Sequence, residues 1–181
     1  MSHSKKLATL AGGCFWCIES AFSQVRGVES AVSGYMGGQV VNPRYNDIIT
    51  GQSGHAEVVQ LAYDPSEISF REILEIFFTL HNPTQLNYQG NDVGTQYRSA
   101  VFYHSDEQKK LAEEIIAEIN ASNIWPDPVV TEVSKESAFY SGELFHQDFF
   151  NKNPENRYCQ AIISPKLAKF RKTFTDKLKA A

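Results

Sequence analysis

Cysteine is scarce in this chain: three in 181 residues, an odd number and too few for a disulfide scaffold. No apolar run approaches the ~20 residues that cross a bilayer, so no membrane association is expected. The start, Met1-Ser2-His3-Ser4-Lys5-Lys6, is basic but lacks the apolar stretch of a signal peptide, which points to a reducing cytoplasm. Basic excess is missing too: 17 Lys and Arg face 21 Asp and Glu, for a net charge of −4. Lys166, Lys169, Arg171, Lys172, Lys177 and Lys179 follow a helical pattern and read as a solvated face, so no nucleic acid is expected. Gly12-Gly13 is not a G-x-G-x-x-G fingerprint, so no dinucleotide or other organic cofactor is expected. Repeats, low-complexity blocks and long linkers are absent. One domain over residues 1–181 is expected, with 42% hydrophobic residues to build its core.

What is present alternates between the two periods. Leu7–Ala11, Val28–Tyr35, His55–Tyr63, Ser99–Tyr103 and Pro128–Ser134 read as strands. Ser69-Phe70-Arg71-Glu72 and Ser105-Asp106-Glu107-Gln108 read as capping boxes, and Ser164-Pro165 as a cap followed by a first-turn proline. Helices and strands are mixed, which implies a sheet covered by helices. Gly-rich loops carry Tyr45, Asp92, Tyr97 and Arg98, as site-building loops do. The segment Phe149–Cys159 reads as polar, irregular and able to carry Cys159 on a mobile arm.

The most telling run is Gly12-Gly13-Cys14-Phe15-Trp16-Cys17. A helix from Phe15 to about Gln24 would place the Cys14 sulfur at a helix N-terminus, where free N–H groups and the dipole favour a thiolate. The two glycines permit a tight turn and the close approach of another molecule. Three chemistries use Cys-x-x-Cys. A zinc site needs a second ligand pair, which is lacking, so no metal is expected. A thioredoxin-like thiol–disulfide oxidoreductase fits the strand–Cys–helix context, though Phe and Trp between the thiols are bulky for that task. Inert core cysteines are the third case. Cys17, one turn on, either neighbours Cys14 or packs inward.

Further blocks narrow the choice. Gly-Cys-Phe-Trp, Ser33-Gly34-Tyr35, Asn42-Pro43-x-Tyr45, Gly54-His55-Ala56-Glu57 and Gly90-Asn91-Asp92-x-Gly94-Thr95-Gln96-Tyr97-Arg98-Ser99 follow one another in an order that resembles the A-type peptide methionine sulfoxide reductases. The resemblance runs from about Ala8 to Cys159. It implies an α+β fold: a two-layer sandwich with a mixed, ferredoxin-like sheet covered by helices and an irregular C-terminal segment. It also implies reduction of the S epimer of methionine sulfoxide, free or in oxidised proteins, with thioredoxin as the reductant.

The resemblance assigns roles residue by residue. Cys14 is the nucleophile on the sulfoxide sulfur. Glu57 is the proton donor, and burial would raise its pKa in the needed direction. Tyr45 and Tyr97 donate hydrogen bonds to the oxygen, Phe15 and Trp16 wall the methyl pocket, and Asp92 contacts the substrate main chain. The Cys14 sulfenic acid then condenses with a second thiol. Cys159 matches a C-terminal resolving position and Cys17 a variant within the motif; either, or both in relay, serves. Glu155-Asn156-Arg157 stands where glycine is often found, which would stiffen the arm. His146 lies in a block near the family's site, with a packing role and a functional one equally open.

Overall fold

The computed structural model describes residues 5–179; the first four residues of the N-terminal stretch read above lie outside it. In chain order the elements are β1 (Lys6–Ala11), α1 (Phe15–Ser23), β2 (Val28–Met36), α2 (Tyr45–Ile48), β3 (Ala56–Tyr63), α3 (Phe70–Leu80), β4 (Tyr88–Gln89), β5 (Asp92–Val93), β6 (Ala100–Tyr103), α4 (Asp106–Ser122), β7 (Glu132–Lys135), β8 (Tyr140–Ser141), α5 (Phe149–Lys152) and α6 (Ser164–Thr173). The six-stranded sheet runs β7-β6-β1-β3-β2-β8, and β4 and β5 form a separate ribbon. The larger sheet is mixed: β6 and β7 are parallel, and its other pairings are antiparallel.

Strand alternation sorts the side chains onto two faces. Val59, Leu61 and Tyr63 of β3 join Leu10, Phe15, Ile18, Phe22, Ile73, Phe77 and Leu167 in the main apolar cluster. Ala56 and Val58 point the other way, with Ala11, Met36, Ala100 and Phe102. Glu57 shares the parity of Val59, so its carboxyl is directed to the face on which α1 packs. That register is why a charged side chain is buried there at all.

Ser69 caps α3 with both bonds of the capping box in place. Ser105 caps α4 through Gln108 N, but the reciprocal bond is missing, because Gln108 accepts from His104 N and donates to Leu7 O instead. Ser164 is not a cap. The chain enters α6 through a π-helical turn, Cys159–Ile163, with Ser164 already helical. Pro165 offers no N–H to the preceding turn, and the backbone widens rather than breaks. The strand expected from Pro128 begins only at Glu132, since Val129 N and Val130 N bond to Asn120 Oδ1 and Pro83 O rather than to β6.

The segment expected to be an irregular, mobile arm is largely turned and helical, and Cys159 at its end is fully buried. Of the basic stripe, Lys177 pairs with Glu72 and Arg171 with Gln24, so part of it fastens the C-terminus to α3 and α1. Among the described residues no helix is long and apolar enough to cross a membrane.

Candidate active site

Cys14 is the N-cap of α1, with extended backbone, at the end of the turn that follows β1. Gly13 has φ +85° and Gln89 against it, and a Cβ on Gly12 would meet the His81 ring at 2.9 Å. The close approach that these glycines permit is therefore to the chain's own 81–89 segment, not to another molecule.

A cavity of about 280 Å³ opens beside Cys14, lined by Phe15, Trp16, Tyr45, Glu57, Asp92, Tyr97, Asn156 and Tyr158. Every residue assigned to nucleophile, acid, oxygen contact, methyl wall or main-chain contact reaches this one cavity. Cys17 and Cys159 do not line it. Both are buried free thiols, with Cys17 raised to about 11 by burial against a counteracting Lys166. Asn156 and Tyr158 line the cavity without having been assigned to it. Their place beside Cys159 was the only available signal.

Glu57 is 2% exposed, and its Oε1 accepts the Phe15 N–H at 3.2 Å. Burial raises its pKa to about 8, helped by the Asp92 charge and opposed by the Phe15 N–H. The carboxyl is therefore protonated at neutral pH. Cys14 does not behave as a helix N-terminus alone would dictate. Burial and the Glu57 charge push its thiol well above the ordinary value, and the Trp16 backbone N–H only partly offsets them. The expected thiolate stabilisation is overturned because burial beside the Glu57 carboxyl outweighs the helix end.

Tyr97 closes a short 3₁₀ turn, Thr95–Tyr97, after Gly94. Arg98 fastens that turn: its guanidinium donates to Thr95 O and Gly54 O, and pairs with Glu132. One side chain thus ties the Tyr97 turn to the strand entry that carries Glu57. Burial raises both Tyr97 and Tyr45 above the phenol range, so both stay as O–H donors. Asp92, on β5, accepts a hydrogen bond from the Tyr158 hydroxyl.

His146 is buried at 1% exposure behind the apolar wall. The Trp16 indole Nε1–H donates to its Nδ1 at 3.1 Å, and its ring lies 4.7 Å from Tyr45 and 5.2 Å from Phe15. An indole nitrogen only donates, so Nδ1 is the bare nitrogen and the proton of the neutral ring sits on Nε2, which has no partner. Phe149 stacks on Trp16 at 3.7 Å. Among the described residues no three Cys, His, Asp or Glu side chains gather as metal ligands do.

The family model for peptide methionine sulfoxide reductase matches residues 6–178. A peptide methionine sulfoxide reductase MsrA of Polynucleobacter asymbioticus is 54% identical over 167 residues, 92% of this chain and 88% of its own. The crystal structure of Mxr1 from Saccharomyces cerevisiae in reduced form superposes with a TM-score of 0.81 at 35% identity, covering 86% of this chain and 90% of that one. The same yeast protein in complex with Trx2 superposes at 0.57 with 26% identity, over 82% of this chain and 89% of that one.

Proposed function

The chain belongs to the peptide methionine sulfoxide reductase family, and from that premise we propose how its own residues carry the reaction. It reduces methionine sulfoxide to methionine, with thioredoxin as the reductant; the yeast relative in complex with Trx2 supports the choice of donor. The observation that carries the reading is the pairing of the Cys14 thiol with a buried carboxyl of pKa about 8 in a cavity walled by Phe15 and Trp16.

The sulfoxide methyl lies against Phe15 and Trp16, and the oxygen faces Glu57, Tyr45 and Tyr97. Cys14 sulfur attacks the sulfoxide sulfur. The oxide is a poor leaving group until it is protonated, so the Glu57 proton and the two phenolic donors act where negative charge develops. Net, the sulfoxide and Cys14–SH become the thioether and Cys14–S–OH, with the thiol proton returning to Glu57. Asp92, held by Tyr158, contacts the substrate main chain. The sulfenic acid then forms a disulfide with Cys17 or Cys159 and releases water. Cys159 is packed in the core, so its use requires residues 153–159 to leave their present packing. Cys17 already lies one helical turn from Cys14. A methyl wall, oxygen donors and a nucleophile at three fixed places distinguish the two epimers of the sulfoxide, and the family premise makes the S epimer the substrate.

The order β6-β1-β3-β2, built from a β1-α1-β2-β3-α3-β6 path, supports a ferredoxin-like core for the sheet. A cytoplasmic site of action fits three free thiols. A single domain suits one main cluster that gathers residues from Ala8 to Phe170.

The test is reduction of separated S and R epimers by wild type and by Cys14→Ser. Turnover of S alone, abolished in Cys14→Ser, is expected. A thiol–disulfide oxidoreductase would instead reduce disulfides and leave both sulfoxides untouched.

A further inference from the structure

Tyr45 stands on weak local structure. It is the first residue of α2, a helix of only four residues, and it follows the exposed loop residues Gln39–Asn42. So short a helix does not hold itself in place. Something else must fix the phenol against Glu57. The bond that does so comes from far along the chain: the Glu143 carboxylate accepts the Tyr45 N–H on Oε2 at 3.1 Å. Its other oxygen, Oε1, accepts the Tyr35 hydroxyl at 3.1 Å. Tyr35 is fully buried on β2, directly across the ladder from Glu57.

Glu143 is itself held. Residues 142–148 form a strap across the end of β2. Gly142 N donates to Ser33 O, Ser33 N donates to Gln147 Oε1, and Asp148 N donates to Glu19 Oε1 on α1. The same strap carries His146 to the Trp16 indole. The carboxylate therefore bridges a rigid strand, registered on the acid Glu57, and a four-residue helix whose other fastenings are the Arg44–Asp47 capping box and the buried Ile48.

We propose that Glu143 is a positioning residue for sulfoxide reduction: by joining Tyr35 to the backbone of Tyr45, it sets the Tyr45 hydroxyl at the oxygen that leaves. The inference rests on the oxygen-contact role of Tyr45 given above. A free N–H at a helix start is an ordinary target for a carboxylate. Here that bond is used to place a donor whose misplacement by about 1 Å costs about 100-fold in rate.

The experiment is a double-mutant cycle on the single-turnover rate of methionine formation from S-sulfoxide, using Glu143→Ala, Tyr45→Phe and the pair. Glu143→Ala is expected to slow the step about 10- to 100-fold with KM changed less than about threefold. In the Tyr45→Phe background the same substitution is expected to cost less than about threefold, because the donor it positions is gone. Glu143→Gln, whose amide accepts from Tyr45 N–H and donates to the Tyr35 oxygen, is expected to stay near wild type. If Glu143→Ala does not fold, the cycle is run with Glu143→Asp, whose shorter arm cannot bridge both donors. Equal losses in the two backgrounds overturn the inference. A wild type inactive on the sulfoxide sinks the proposed function and this inference with it; an active wild type with an additive cycle sinks only the inference.

Discussion

Glu57 holds the helix end that Cys14 caps: its Oε1 takes the Phe15 N–H at 3.2 Å, and the Cys14 sulfur makes no capping bond of its own. Burial and the Glu57 charge oppose ionisation of the Cys14 thiol, and burial with the Asp92 charge opposes ionisation of Glu57.

The first consequence is in the pH–rate profile. The rate of sulfenic acid formation is expected to fall as pH rises through about 8, where Glu57 loses its proton. Glu57→Gln should remove that limb and slow the step about 10²- to 10⁴-fold. A variant that keeps the wild-type limb would show that another group sets it.

Stability should run the same way. Glu57, at about 8, and Glu19, at about 7, are both raised by burial above an unfolded value of about 4.3. The folded state therefore holds protons that the unfolded chain has released. The stability they contribute is complete below about pH 4.3 and is lost as pH rises to about 8. Urea midpoints measured from pH 7 to 9, above the range in which the lowered His81, His104 and His146 act in the opposite sense, should decline, and Glu19→Gln should make the decline shallower. A midpoint rising over that range contradicts the assignment.

His146 is expected to act through Trp16. His146→Phe removes the indole acceptor and the unpartnered Nε2–H together, so stability should change by less than about 1 kcal/mol. The freed Trp16 wall should still lower kcat/KM about three- to tenfold, or about 1 kcal/mol. Burial lowers the His146 pKa despite the opposing Glu143 charge; Tyr45 is the other titratable group against the ring. Trp16 fluorescence in a Trp125→Phe background should therefore change only below about pH 6.5, and not at all in His146→Phe. An identical titration in both proteins would remove His146 from the pocket wall.

The resolving thiol can be read by mass spectrometry after one equivalent of sulfoxide. Cys17 and Cys159 are both buried, but Cys17 needs no departure from its helix to approach Cys14. A Cys14–Cys17 disulfide is expected first, followed by transfer to Cys159. In Cys17→Ser the first disulfide should form at least about tenfold more slowly, the approach of Cys159 then requiring local opening of the chain. A sulfenic acid that pairs with neither cysteine excludes the scheme.

Residue type and spacing were enough to place most of the elements, and the resemblance to the A-type reductases singled out the seven groups that line the cavity. The alternation around Glu57, the Gly-Cys-Phe-Trp turn and the Gly-rich loop of Asp92 and Tyr97 are local signals, each written within a few neighbouring residues. Cys159 misled for the same reason. Its polar, proline-bearing neighbours read as a free arm, but its own burial depends on Ile163, Leu167 and the core beneath them.

By itself, then, the sequence determined a family resemblance and, through it, the candidate groups: one thiol at a helix start, one carboxyl in a strand, two phenols on loops. Only the tertiary structure decided how their protons and positions are shared. The Phe15 N–H goes to Glu57, and the strap 142–148 brings Glu143 and His146 to Tyr45 and Trp16. These are hydrogen bonds between residues about 40 to 130 positions apart, and local pattern holds no record of which distant acceptor is buried against which donor.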